Sequence, residues 1–439
     1  MRQRISVEQL KDPVTQQRVD EATLMADKAV ESLSQVNPTW LAFCNEKVLL
    51  ANESLGFLLK QRFQLFKKGF PSRDIDYLNL IERQIGELKR VYQSFYRFNS
   101  GFIHQLKSQE IEIYVWLMLQ EEFGYSLDNL LCGLGLLNEV SPDFAKLLVV
   151  QSTIESLDYT LAELIEGEAP LSTQYFECLS VRQTNSVALT KRWLKVKTIP
   201  EKIAYCALAR QDVEDGIEWV NQNAKHDQYL FERLLTRHDR STWFRQHFGI
   251  ESAAISHPRI LTFAKVLELK EFSEFDVTVA DAPIHYALAG DTELTPQVLD
   301  HLTQLDGVDG EIWLKALYVV YGSVLPVYPH QLGIELEWQE ITNLLSDWRN
   351  SDGHVMRLPS RLGYELTFDS TMTAMMDKNI DDSFRSWLWQ QTCLHSRVYI
   401  PWDATMPIHQ QEWNIKRLKA LPSVAERFNL RGNHAVVGY

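Results

Sequence analysis

Residues that make tight turns are scarce in this chain. Glycine (19) and proline (15) together make up about 8% of the 439 residues, against a usual level of roughly 12%. A sheet-rich fold consumes both at its turns, so the shortage points to helices. Cysteine is sparse as well. Cys44, Cys132, Cys178, Cys206 and Cys393 are odd in number and lie more than about 25 residues apart. No C-x-x-C pair occurs, which excludes a zinc ribbon or a local redox pair. Each thiol sits among apolar neighbours, as buried cysteines do, which suits a reducing compartment.

Long apolar runs are also missing. Residues 1–30 contain no apolar h-region, so they do not read as a signal peptide. The longest apolar stretches, Ile113–Leu119 and Leu314–Tyr328, fall short of the ~20 residues needed to cross a bilayer. The expectation is a cytoplasmic protein without membrane insertion. Positive charge is in deficit, with Lys+Arg 44 against Asp+Glu 58, which argues against nucleic acid as a partner. H-E-x-x-H, G-x-S-x-G, the P-loop and G-x-G-x-x-G are all absent, and no cofactor is implied. What remains is a globular composition, 45% apolar and 23% charged, of a length that suits two or three packed units.

The N-terminal part is patterned as a helical bundle. Val19, Ala22, Ala26, Ala29, Leu33 and Val36 alternate steps of three and four and share one helical face. Asn37-Pro38 ends that helix and opens a second, whose stripe is Leu55, Leu59, Phe63 and Phe66. Ser72 caps a third, with Leu78, Ile81, Ile85, Leu88, Tyr92 and Phe95 in heptad rhythm. Residues 107–124 are apolar nearly all round and predict a central helix; Ser126 and Ser141-Pro142 open two more. Between Glu177 and Glu201 there is no acid, and the bundle is expected to end there, giving a domain over 1–197.

Beyond that point the chain is loosely repetitive. Segments 202–212, 229–239, 259–269, 282–292 and 311–321 each carry a bulky apolar residue ahead of a small-plus-aliphatic centre. A second amphipathic stretch follows each, as in Thr295-Pro296 with Val298, Leu299 and Leu302. Degenerate helix pairs of this period stack into an α-solenoid, expected over 198–421, with a short tail over 422–439. The fold class is therefore all-α. Ala282-Pro283-Ile284-His285-Tyr286-Ala287 echoes the ankyrin T-P-L-H-x-A motif once, without its Thr. Residues 271–281 and Arg397–Ile400 read either as short strands or as extended loops.

Few residues carry chemistry. His226-Asp227 and His238-Asp239 lie in a helical region with His257, and imidazole beside carboxylate suits a divalent metal that activates water. This is the pattern of an HD-type metal-dependent phosphohydrolase. The alternative is that both aspartates are caps or ion-pair partners of Lys225, Arg237 and Arg240, which is the favoured reading, so no metal is expected. Gly133-Leu134-Gly135 sits in an apolar helical run and signals close helix packing rather than phosphate binding. Cys393 and His395 are two apart and fall on different sides of a helix, which argues against a dyad. Lys60, Arg62, Lys67, Lys68 and Arg73 alternate with Phe57, Phe63, Phe66 and Phe70, either as an anion patch or, preferred, as a helix with a core face and a wet face. Nine of the twelve tryptophans follow residue 200. Trp387, Trp389, Trp402 and Trp413 crowd the C-terminal end beside Tyr399; core packing is the first reading, and a partner-binding surface the second.

The order of segments over 363–421 carries a resemblance. Gly363-Tyr364-Glu365-Leu366-Thr367 opens a helix, and Ser383-Phe384-Arg385-Ser386-Trp387 begins the next. Tyr399-Ile400-Pro401-Trp402-Asp403-Ala404 forms an extended break, and Gln410-Gln411 leads into a last helix ending at Leu421. This is similar to the closing portion of an uncharacterised HEAT-like repeat family encoded within bacterial type VI secretion clusters. Asp158–Leu164 resembles an early segment of the same family. The acidic Asp377, Asp381 and Asp382 stand where that family has an Arg/Gln-rich run. The resemblance implies a non-enzymatic accessory protein, with secretion-system subunits or an effector as partners and no catalytic residues to carry over. The expected function is a protein–protein interaction scaffold, adaptor or chaperone.

Overall fold

The computed structural model describes residues 15–431 apart from 37, 99, 124–126, 155, 168–170, 224–228, 250–256, 273 and 357–358. The fold is all-α. Among the described residues the only strands are β1 (Ser360–Arg361) and β2 (Tyr364–Glu365), a two-residue antiparallel hairpin with Ser360 opposite Glu365. No helix among them is long and apolar enough to cross a membrane. The chain divides into two compact units: residues up to Leu65 with Asp76–Thr160, and Phe66–Ile75 with residues from Leu161 onward. The acid-free stretch 178–200 thus lies inside the second unit. There Trp193 is fully buried and meets Phe176 edge to face at 5.9 Å.

In the first unit the apolar stripes become the core. Helices α1 (Gln16–Val36), α2 (Pro38–Lys67) and α3 (Ile75–Phe98) run over the three patterned segments. Leu55 and Leu59 on α2 and Leu78, Ile81, Ile85 and Tyr92 on α3 are buried. The Tyr92 hydroxyl donates to Asn52 Oδ1 at 2.6 Å, tying α3 to α2. Phe63 stacks on Phe144 at 4.9 Å, whereas Phe57 points into solvent. Residues 107–124 do not form one helix. Glu110, at φ −140° and ψ 68°, breaks the chain between α4 (Phe102–Gln109) and α5 (Ile111–Met118). That turn lets Ile113–Met118 be enclosed on all sides, which a straight continuation of α4 would leave to chance. Helices α6 (Leu127–Val140) and α7 (Pro142–Val150) follow, and at Gly133 a Cβ would meet the Tyr114 ring at 2.9 Å, so α6 packs closely on α5 there.

Helix α8 (Ser156–Glu166) crosses the boundary after Thr160, and α9 (Ser172–Val181) and α10 (Val187–Val196) belong to the second unit. The five repetitive segments fall on α11 (Glu201–Arg210), α13 (Leu230–Thr236), α15 (Pro258–Val266), α16 (Ala282–Ala289) and α18 (Gly307–Tyr321). Between and after them come α12 (Glu214–Gln222), α14 (Arg240–Phe248), α17 (Thr295–Leu302) and α19 (Trp338–Asn350). Then α20 (Phe368–Met375), α21 (Asp382–Ser396) and α22 (Ile408–Ala420) occupy the 363–421 region. A pure stack confines each pair to its neighbours; here α21 packs on α13 and α16 as well as on α20. Among the described residues of 271–281 there is no strand. A 3-10 turn covers Lys270–Phe272, and Asp276 Oδ1 accepts from the Thr278 amide and hydroxyl, a local turn that competes with extended pairing. Arg397–Ile400 is an unpaired connection. In the tail, α23 (Val424–Asn429) buries Val424 and Phe428 against α20, α21 and α22, and 432–439 lie outside the described residues.

Four buried arginines and the half-buried Arg427 tie segments of this unit together. Arg233 donates to the carbonyls of Val220 and Asn221 at the end of α12, and Arg361 to those of Ala287 and Leu288 at the end of α16. Arg240 reaches the Leu394 carbonyl and Arg427 the Ser396 carbonyl, both at the end of α21. Arg385 donates to the carbonyls of Pro71, Asp377 and Ile380. Near it Gly69, at φ +85°, lies so close that a Cβ would sit 2.6 Å from Asp382 Cβ. The last four carbonyls of a helix lack intrahelical donors and carry the negative end of its dipole, so a guanidinium satisfies both needs.

The ankyrin-like segment carries structural contacts. His285 is buried on α16 with its Nε2 2.9 Å from Thr262 Oγ1 of α15. Burial, with Lys265 nearby, pushes its pKa down to about 4 from the ordinary 6.5. The unfolded chain therefore binds a proton in this window that the folded chain refuses, so stability falls as pH drops from 6.5 to about 4. Equilibrium urea unfolding should show a loss on the order of 3 kcal/mol over that range, and H285Q should flatten the slope. Two glycines give a second test. A Cβ on Gly216 would lie 2.4 Å from the Ala209 amide nitrogen, while one on Gly135 meets nothing within 4 Å. G216A should cost about 2 kcal/mol or more through displaced backbone, and G135A should gain about 0.5–1 kcal/mol of helix propensity, both read from unfolding midpoints.

Candidate functional site

His238 and Asp239 reach the surface where α13 turns into α14, and a cavity of about 390 Å³ opens beside them. Its charged wall comes from three places in the chain: His238, Asp239, Arg240 and Arg245 at α14, Glu268 and Lys270 after α15, and His395 and Arg397 at the end of α21. The turn is short because Arg237 stays extended at the end of α13 and Asp239 leads straight into the next helix.

Every acid on that wall is already engaged. Arg237 grips Asp239 with both nitrogens, Nε to Oδ1 at 2.8 Å and Nη2 to Oδ2 at 2.9 Å, and these bonds hold the carboxyl below its usual range. Glu268 pairs with Arg431 at 3.1 Å; burial raises its pKa, and Arg431 offsets part of that rise. Arg245 forms a bidentate pair with Glu271 at 2.9 and 3.2 Å. The His238 Nδ1 accepts from Arg397 at 3.2 Å, which leaves the proton of a neutral ring on Nε2. His395 Nε2 donates to the Val266 carbonyl at 2.8 Å. Arg240 is nearly buried, and burial, with Arg397 adding repulsion, brings its pKa down to about 10. Arg397 stands at φ 58° in the left-handed region, where a side chain other than glycine or asparagine is strained.

The metal reading gains nothing from this geometry. Arginines occupy the acceptor atoms of both His238 and Asp239, and their positive charge repels a cation. His257 precedes α15 and does not line the cavity, and His226 and Asp227 lie outside the described residues. Among the described residues no group of three His, Cys, Asp or Glu is placed to hold a metal ion.

The aromatic candidates are spread between core and surface. Trp389 is buried and packs on half-buried Trp402 at 5.4 Å. Trp387 meets Phe263 edge to face at 5.3 Å. Tyr399 lies between Phe231 and the Arg210 guanidinium, at 6.2 and 5.6 Å, where burial raises its pKa. Trp413 is 52% exposed, with Arg417 over its ring at 5.3 Å. The structure thus brings Trp389 and Trp402 together and leaves Trp413 alone in solvent.

The cationic side chains of the cavity are the residues that sequence reasoning missed. The signal was the density of arginines over 237–245, which was read only as ion-pair partners for the two aspartates. Comparison of the chain with known family profiles, with curated proteins and with solved structures finds no match.

Two thiols of this unit are held in the protonated form. Burial pushes Cys393 up to about 12, and burial with Glu232 nearby does the same to Cys206. Of the four cysteines whose side chains are described, only Cys132 is exposed. Iodoacetamide on the native protein should label Cys132 within minutes, with Cys178, Cys206 and Cys393 labelled only after denaturation, as read by peptide mass spectrometry.

Proposed function

We propose that the chain is a non-enzymatic scaffold or adaptor for other proteins, acting as an accessory component of a bacterial type VI secretion system. The observation that carries it is a set of large apolar side chains left in water on the long helices of the first unit. On α2, Leu49, Leu50 and Phe57 are 60%, 47% and 58% exposed. On α3, Tyr77, Leu80 and Val91 repeat one helical face, one step round from the stripe that fills the core. Solitary exposed apolar residues are ordinary, but several on each of two helices suit a surface that a partner covers. The secretion setting rests on the resemblance of residues 363–421 alone.

Affinity purification of the tagged chain from its native cells, read by mass spectrometry, tests this. Secretion-machine subunits or an effector should be recovered with the wild type and lost at least about tenfold in an L50E/F57E variant that keeps its helical circular dichroism. Recovery of the wild type alone, or of the same partners with the variant, overturns the reading.

A further inference from the structure

We infer that the cavity at the start of α14 binds the phosphate group of a small phosphorylated molecule. Arg240, Lys270 and Arg397 stand on its wall without a carboxylate partner among the described residues. The acids beside them cannot serve, since Asp239 and Glu268 are held by Arg237 and Arg431. Arg240 is only 5% exposed, and a guanidinium so buried is expensive to keep charged with no opposing charge. The Leu394 carbonyl takes one of its donors, which leaves the charge itself uncompensated. An anion in the cavity offsets the repulsion between Arg240 and Arg397 and accepts from the donors that the Leu394 carbonyl and His238 leave over; guanidinium groups suit phosphate oxygens, with lysine as an added point charge.

Two further features narrow the ligand. Asp239 precedes the nine-residue α14 but does not cap it, because Arg237 takes its carboxylate, so the amides of the first turn add donors to the cationic wall. A volume of about 390 Å³ is more than a bare phosphate fills and lies within the ~300–1,000 Å³ of ordinary small-molecule pockets, so the phosphate carries an organic body. The proposal uses none of the apolar residues of α2 and α3 and does not rest on the scaffold reading.

Titration calorimetry of the full chain with inorganic pyrophosphate, in a phosphate-free chloride buffer, is the test. One saturable site is expected, weakened at least about tenfold in R397N and in K270Q. Asparagine tolerates the left-handed backbone at 397, so R397N should keep its circular dichroism and its melting temperature in chloride, yet lose the upward shift that pyrophosphate gives the wild type. Absence of saturable binding at millimolar pyrophosphate, or equal binding by the R397N/K270Q variant, overturns the proposal. Phosphatidylcholine vesicles with and without phosphatidylinositol phosphate separate the sources. Sedimentation that needs the phosphoinositide and is lost in R397N/K270Q assigns the phosphate to a lipid headgroup, and calorimetric binding without sedimentation assigns it to a free metabolite.

Discussion

The second unit depends on one interaction used repeatedly: a buried guanidinium donating to carbonyls where a helix runs out. Arg233, Arg240 and Arg361 each serve such an end, half-buried Arg427 serves another, and Arg385 gathers three carbonyls from two stretches of chain. A short helix has as many orphaned carbonyls as a long one, so a fold made of six- to fifteen-residue helices carries an unusual load of them. Water cannot satisfy those that are enclosed. Arginine can, because it offers five donors on a stem long enough to cross between helices and stays charged when buried. Removing one such arginine leaves its carbonyl acceptors buried and unpaired, which costs about 1–3 kcal/mol for each, a large share of the stability of a domain.

The same device shapes the surface chemistry. Carbonyls take hydrogen bonds from these arginines but do not oppose their charge. Where several cluster near the outside, as Arg240 and Arg397 do, the positive potential persists in a chain whose overall charge is −14. The overall balance and the local field therefore have opposite signs, and composition speaks only to the first.

The sequence made some of this legible and left some hidden, for physical reasons. Helices with one apolar stripe were readable, since Leu78, Ile81, Ile85 and Tyr92 announce the buried face of α3 by spacing alone. The break at Glu110 was not, because a stretch that is apolar all round has no periodicity to lose. At 271–281 the alternating pattern came from side chains that sit half in and half out of a loop, while Asp276 bonding to its own neighbours fixed the turn. The pair His238-Asp239 was visible as a pair, but its chemistry is set by Arg397, which arrives from the far end of α21. Arg361 and Arg385 gave no signal, since a lone arginine bonded to distant carbonyls looks like any surface cation.

The ten residues Phe66–Ile75 group with the second unit although the helices on either side of them group with the first. Pro71 supplies an acceptor to Arg385, and Gly69 lies against Asp382. A fragment starting at residue 161 would consequently begin life with an unfilled seat in its own interior. During synthesis the ribosome delivers the filling piece long before the seat exists, so the second unit is completed only when its last helices come back to a segment made near the start. The two units can be told apart on paper, but the gene cannot be cut cleanly between them.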